Sequence, residues 1–283
     1  IISFGLPKKP DQETLQLPCG QCIGCRLDYS QQWAIRIMHE QQMHGDEQSQ
    51  FITLTYNDDH LPYDRSLTKT HVQKFLKKLR KNTGKKIRYY YSGEYGELRR
   101  PHYHMCIFGH TWDDLEVFNE EEGIFTYVSP SLEHQWGKGF CTVQDLTIGN
   151  AAYCARYIID KITGEEKHAH YESVCEITGE VRQIASEYSD MSRRPGIALD
   201  WYSKYHSDIF PYDTTIYRGK NVKTPRYYEN LLRSSDVPTF DKIKAERKTK
   251  AISHAADQTP RRLRDREQVK LRQIDSLYRD LHK

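Results

Sequence analysis

Apolar residues follow two rhythms along this chain. Between Leu27 and Met43, Trp33, Ala34, Ile37 and Met38 fall at helical spacing among Gln, Arg and His, and Gly45 supplies a stop. Val72, Phe75, Leu76 and Leu79 repeat that spacing, with Thr68 placed to cap the helix and basic residues in its last turn before Asn82 to Gly84. The second rhythm has period two. Phe51 to Tyr56 alternates Thr with large apolar residues and ends in the turn formers Asn57, Asp58 and Asp59, and Ile87 to Ser92 and Tyr103 to Phe108 read as antiparallel neighbours across a polar connection. Phe140 to Leu146 predicts a further strand, Asn150 a cap for a helix over 151–162, and 171–175 with 181–186 a hairpin. The six carboxylates of 112–122 predict a solvated insertion, and 1–18 an extended lead-in. Beyond Pro238 the chain is charged and helix-prone, with Leu263, Val269, Leu271, Ile274, Leu277 and Leu281 only loosely periodic, so a helical appendage is expected there.

Composition narrows the class without naming a function. A chain of 283 residues with mean hydropathy −0.82 carries 20 Tyr, 9 Phe and 4 Trp, enough large side chains for a packed core. The net charge of +3 conceals an asymmetry: 13 Lys and Arg against 7 Asp and Glu lie in 241–283, while the first 240 residues hold 29 against 32. A basic tail is compatible with nucleic acid and equally with a solvated helix. No run approaches the roughly 18 apolar residues of a membrane span, and no signal segment opens the chain, so the expectation is a cytoplasmic protein with no membrane partner. Seven Cys, three of them clustered, fit a reducing compartment better than a disulfide framework.

Chemistry concentrates in three places. In Pro101-His102-Tyr103-His104-Met105 the two His stand two apart on a strand, so both imidazoles share one face while Tyr103, Met105 and Ile107 point to the other. Two imidazoles suit a divalent ion once a carboxylate joins them, and Glu94 and Glu97 lie just upstream; the same spacing also serves a purely structural pair. In Ala152 to Lys161, helical spacing places Tyr153, Tyr157 and Lys161 on one side, either as nucleophiles with a cation or as an amphipathic core stripe. Arg156 then points about 100° from Tyr157, toward a DNA phosphate or solvent. Cys19, Cys22 and Cys25 supply three thiolates of the four that structural zinc takes. The sequence leaves Cys106, Cys141, Cys154, Cys175, His39 and His44 all open as a fourth ligand, with free thiols as the other reading. Tyr89, Tyr91, Arg193 and Arg194 are candidates for stacking on single-stranded DNA or holding its phosphates, or for ordinary core and surface positions.

Taken together these segments resemble the HUH endonuclease superfamily, and within it the replication initiators of gokushovirus-type small single-stranded DNA phages. Phe51 to Tyr56 is similar to the family's first motif, Gly93 to Glu97 with Arg100 to His104 to its metal motif, and Tyr153-x-x-x-Tyr157 with Lys161 to its nucleophile motif; 18–26 and 191–196 resemble stretches of the phage proteins. The resemblance implies an α+β fold, a central antiparallel sheet flanked by helices in a ferredoxin-like or RRM-like palm. It implies Mg²⁺ or Mn²⁺ held by His102, His104 and one Glu, with Glu94 preferred to Glu97. It implies a tyrosine that nicks single-stranded or supercoiled phage origin DNA, keeps a 5′-phosphotyrosine, leaves a 3′-hydroxyl for the host helicase and polymerase, and later rejoins the ends in the cytoplasm of the infected bacterium.

The expected organisation is a cysteine segment and helix over 1–48, the endonuclease core over 49–210, and a basic helical extension over 211–283. Three other readings compete: a zinc-stabilised nucleic-acid-binding protein without catalysis, a plasmid or transposon nuclease with the same chemistry, and a metal phosphoesterase that uses water. The paired tyrosines favour the phage protein over the second, and a covalent adduct distinguishes it from the other two.

Overall fold

In the computed structural model, which describes residues 19–96, 98–156, 167–174 and 179–281, the two rhythms become two kinds of layer. In chain order the elements are α1 (Ile23–His44), β1 (Ser49–Leu54), α2 (Lys69–Thr83), β2 (Arg88–Tyr95), β3 (Pro101–Phe108), β4 (Glu116–Glu121), β5 (Ile124–Val128), α3 (Pro130–Trp136), β6 (Cys141–Asp145) and α4 (Ile148–Arg156). There follow α5 (Lys167–His170), β7 (Glu172–Val174), β8 (Val181–Gln183), β9 (Tyr188–Met191), α6 (Leu199–Ile209), β10 (Thr215–Tyr217), β11 (Lys220–Val222), α7 (Arg226–Ser235), α8 (Val237–Ser253) and α9 (Pro260–Leu281). Seven strands form one antiparallel sheet in the order β4-β5-β6-β1-β3-β2-β9, and the fold is α+β as expected.

Period two sorts the side chains of the central strands onto two cores. Ile52, Leu54, Tyr91, Tyr103, Met105 and Ile107 pack beneath α2 and α3 with Val72, Phe75, Leu76, Leu79 and Trp136. Phe51, Tyr90, Cys106 and Phe108 face the opposite way, against Ile37 of α1, Ala151, Cys154 and Ala155 of α4, Trp201 and Tyr202 of α6, Tyr228 and Leu232 of α7, and Ile243 of α8. A buried ion pair ties this second layer to the sheet. The Arg88 guanidinium of β2 binds the Glu40 carboxylate of α1 and also donates to the carbonyls of Pro195 and Gly196, while Glu40 Oε2 accepts from the Ala198 amide at 2.6 Å.

Three local expectations change. The acidic stretch 112–122 is no plain insertion: β4 runs through it and pairs with β5, with Glu121 opposite Ile124. Glu122 and Gly123 between them both have positive φ, the conformation of a two-residue hairpin turn, and that dipeptide is the overlooked signal. The cap of α4 is Thr147 in place of Asn150. Thr147 Oγ1 accepts from the Asn150 amide at 3.3 Å and Asn150 Oδ1 accepts from the Thr147 amide at 2.7 Å, a reciprocal arrangement that starts the helix three residues earlier. Thr68 precedes α2 but its hydroxyl donates to the Ser66 carbonyl, so it makes no side-chain cap. The hairpin of β7 and β8 forms with Val174 opposite Val181, to either side of 175–178, which lie outside the described residues.

Candidate metal centre and nucleophile helix

Sheet register builds the first cluster. β2 and β3 run antiparallel with Glu94 directly opposite His102 and Ser92 opposite His104, so one carboxylate meets two imidazoles that are two residues apart. Glu94 Oε1 lies 2.5 Å from His102 Nε2 and 2.6 Å from His104 Nε2. Gly93 keeps the strand close-packed here, since a Cβ at that position would stand 2.9 Å from Leu67 Cδ2 and 3.1 Å from the Tyr103 ring. Glu94 and His104 are buried and His102 is half-buried at the rim.

The outer nitrogens fix the rings. His102 Nδ1 donates to the Arg100 carbonyl at 3.3 Å, and His104 Nδ1 lies 3.0 Å from Thr53 Oγ1 on the adjoining strand β1. A carbonyl can only accept, so Nδ1 carries the hydrogen in neutral His102 and Nε2 turns a lone pair toward the Glu94 carboxylate. Lone pair against carboxylate is an arrangement that a cation between them relieves. Glu94 Oε2 is buried without a hydrogen-bond partner, a second sign that the cluster fits an ion. Burial works to raise the Glu94 pKa, but hydrogen bonds from His102 and His104 outweigh it and hold the carboxyl below its usual range. Burial lowers the pKa of His104, against the pull of Glu94, which favours the neutral ligating ring.

Helix α4 lies over this cluster. Cys154 Sγ donates to the His104 carbonyl at 3.2 Å and stands 3.5 Å from Ser92 Oγ, and the Tyr153 ring meets the His104 ring edge-on with centroids 5.0 Å apart. On the far side Phe51 stacks on His104, with centroids 5.6 Å apart and planes 5° from parallel. Tyr153 is half-buried and Arg156, the last residue of α4, is half-buried too. Tyr157, Lys161 and Glu97 lie outside the described residues, so of the expected site residues the fold brings together Glu94, His102, His104 and Tyr153.

The family model of the ORF2-type replication-associated proteins matches residues 49–162, the span that holds this cluster and Tyr153. The chain is 33% identical over 247 residues to the replication-associated protein ORF2 of Spiroplasma virus 4, covering 82% of this chain and 72% of that one. This chain belongs to the replication-associated proteins of Microviridae-type phages. It is also 29% identical to the replication-associated protein VP4 of Bdellovibrio phage phiMH2K, over 83% of this chain and 73% of that one. Against the replication-associated protein ORF4 of Chlamydia phage 1 the identity is 30% over 81% of this chain and 57% of the other. No solved structure matches it.

Several site residues expected in this replication-associated protein occupy other places. Tyr91 is buried in the core beneath α2, edge-on to Tyr103 and Tyr188, and has no ring face for a base. Odd positions of β2 point away from the metal cluster, so the half-buried Tyr89 also faces the α2 side, with Arg80 over its ring. Arg193 and Arg194 are exposed next to the Arg88 end of β2, where Ser192 bonds Tyr89; five residues of strand separate that point from Glu94, on the order of 17 Å. Arg193 pairs with Asp190 at 2.9 Å. Sequence reasoning misses Thr53, Phe51 and the Arg100 carbonyl as ring-positioning groups. For Thr53 the available signal is a hydroxyl on the same strand face as Phe51, within a segment already similar to a family motif.

The three cysteines form a separate cluster at the start of α1, with Cys22 at its N-cap. The Gln21 and Cys22 amides donate to Cys19 Sγ at 3.5 and 3.2 Å, and these backbone hydrogen bonds lower its pKa to about 6. Among the described residues none of the expected fourth ligands reaches it. Cys106, Cys141 and Cys154 are buried in the sheet and α4, His39 bonds Tyr228 Oη at 2.7 Å, and His44 packs by Glu40 and Phe108. Cys175 lies outside the described residues. No helix among the described residues is long and apolar enough to cross a membrane.

Proposed function

We propose that this chain initiates rolling-circle replication by nicking single-stranded phage origin DNA with a tyrosine on α4. The observation that carries this reading is the placement of Tyr153 against His104, directly above a carboxylate and two imidazoles that converge on one point. Its membership among phage replication-associated proteins supports the substrate class.

Glu94, His102 and His104 would hold a divalent ion, and a mixed imidazole and carboxylate set suits Mn²⁺ better than the all-oxygen preference of Mg²⁺. Such an ion supplies positive charge beside the scissile phosphate and so offsets the weakness of a phenol, which ordinarily ionises only near pH ~10. Thr53 and the Arg100 carbonyl keep the two rings turned inward, and Phe51 closes the side of His104 away from solvent. The tyrosine oxygen attacks phosphorus and bonds to it, and the bond from phosphorus to the 3′ oxygen breaks. The proton released by the phenol ends on that oxygen, leaving a 3′-hydroxyl for a host polymerase and a 5′-phosphotyrosine on the protein. The resemblance adds Tyr157, four residues on, as a second nucleophile for the rejoining step and Lys161 as the accompanying cation.

The test is a denaturing gel after incubation with Mn²⁺ and an origin oligonucleotide labelled on either half. A product linked to the protein through its 5′ end, lost in Tyr153→Phe/Tyr157→Phe and in His102→Ala, is expected. Cleavage without an adduct would assign the reaction to water, and binding alone would leave a non-catalytic protein.

A further inference from the structure

We propose that Cys19, Cys22 and Cys25 bind a zinc ion, a second metal site separate from the Glu94, His102 and His104 cluster. The three Sγ atoms lie within 4.8 Å of one another, and Cys19 and Cys25 are 3.9 Å apart. Two thiolates bound to a tetrahedral zinc at about 2.3 Å stand about 3.8 Å apart, so the cysteines already hold the spacing of ligands while remaining too far apart for a disulfide. Amides of Gln21 and Cys22 point at Cys19 Sγ, the donor arrangement that stabilises a metal-bound thiolate, and left-handed Gly20 makes the turn that brings Cys19 back over the helix start. Soft thiolates select zinc over the harder ion suited to the sheet cluster.

The site's position gives it a task. Ser30 of α1 donates to the Ala152 carbonyl at 3.2 Å, and Gln41 donates to the Leu146 carbonyl at 3.0 Å, so α1 and α4 pack antiparallel. Four residues on from the first contact, about 6 Å along both helices, Arg26 comes level with Arg156. The zinc therefore ties down the free end of the helix against which the Tyr153 helix rests. Three cysteines of a short loop have little core of their own, as Cys22 is exposed and Cys19 and Cys25 are half-buried, and a metal replaces the packing they lack.

The experiment uses the full chain carrying His102→Ala/His104→Ala, which disables the other site, purified in reductant. Elemental analysis is expected to find one zinc per chain. Replacement by Co²⁺ alone should give the sulfur-to-cobalt charge-transfer band that only thiolate ligation produces. Cys22→Ser should lose the band and Cys22→His keep a bound metal, while Cys141→Ala retains both. Absence of zinc and of the cobalt band in the chain with all its cysteines intact overturns the proposal without relying on any cysteine variant. So does a visible iron–sulfur spectrum, or a Cys19–Cys25 disulfide in the reduced protein. Nicking activity is not the readout, so failure here and failure of the tyrosine mechanism are distinct.

Discussion

The two faces of the central sheet are built from the same strands yet differ in kind. Under α2 and α3 the core is aliphatic and aromatic, and its buried polar contacts among the described residues are neutral, as where Tyr56 meets Tyr103 and His71. Under α1 and α4 the sheet buries Glu40 with Arg88, Glu94 with two imidazoles, and His39 stacked on Trp201 with ring centroids 3.5 Å apart. Burying charge is unfavourable unless each group is partnered, and a face that accepts that cost is where a site can form. The α2 face supplies rigidity and the α1 face supplies chemistry.

If that division holds, damage to the α1 face should be electrostatic in character. The largest effect is expected from Arg88→Ala, which strands the Glu40 carboxylate in the interior. Loss of about 3–5 kcal/mol in urea unfolding is the expected result, and a loss below about 1 kcal/mol would show that α1 is held by apolar packing alone.

His39 tests the same face by pH. Burial lowers its folded pKa to about 3, while the unfolded ring titrates near 6.5. A depressed folded pKa means the unfolded chain takes up the proton first. Stability is therefore complete above pH ~6.5 and falls as pH drops toward 3, by roughly 2–3 kcal/mol between pH ~6.5 and ~4.5. Unfolding curves of His39→Gln should be flatter than wild type over that window, and parallel curves would remove His39 from the account.

The smallest change sharpens the comparison most. Thr53→Val keeps the shape of β1 but removes the hydroxyl beside His104 Nδ1. Manganese affinity is expected to fall about 10–100-fold with thermal stability nearly unchanged, measured by calorimetric titration. An unchanged affinity would mean that Phe51 and Glu94 alone orient the ring.

Much of this was legible from local pattern. His102 and His104 share a face because a strand alternates, α2 shows its apolar stripe at helical spacing, and the cysteine spacing closes within two turns. The β4 and β5 hairpin was hidden because its strands are largely exposed and carry no alternating apolar face. Tyr91 was misplaced because a tyrosine on a strand reads the same whether its ring meets solvent or another core.

Sequence alone determined what depends on neighbours along the chain: the element types, the paired imidazoles and the three thiolates, since φ and ψ periodicity fixes which near residues share a side. Tertiary structure decided which strand lies beside which, and so which side each face covers. The antiparallel register of β2 and β3 set Glu94 between the imidazoles, β1 brought Thr53 to His104, and α4 set Tyr153 above them. Those contacts join residues up to 51 positions apart through sheet hydrogen bonds and core packing, which no local pattern encodes.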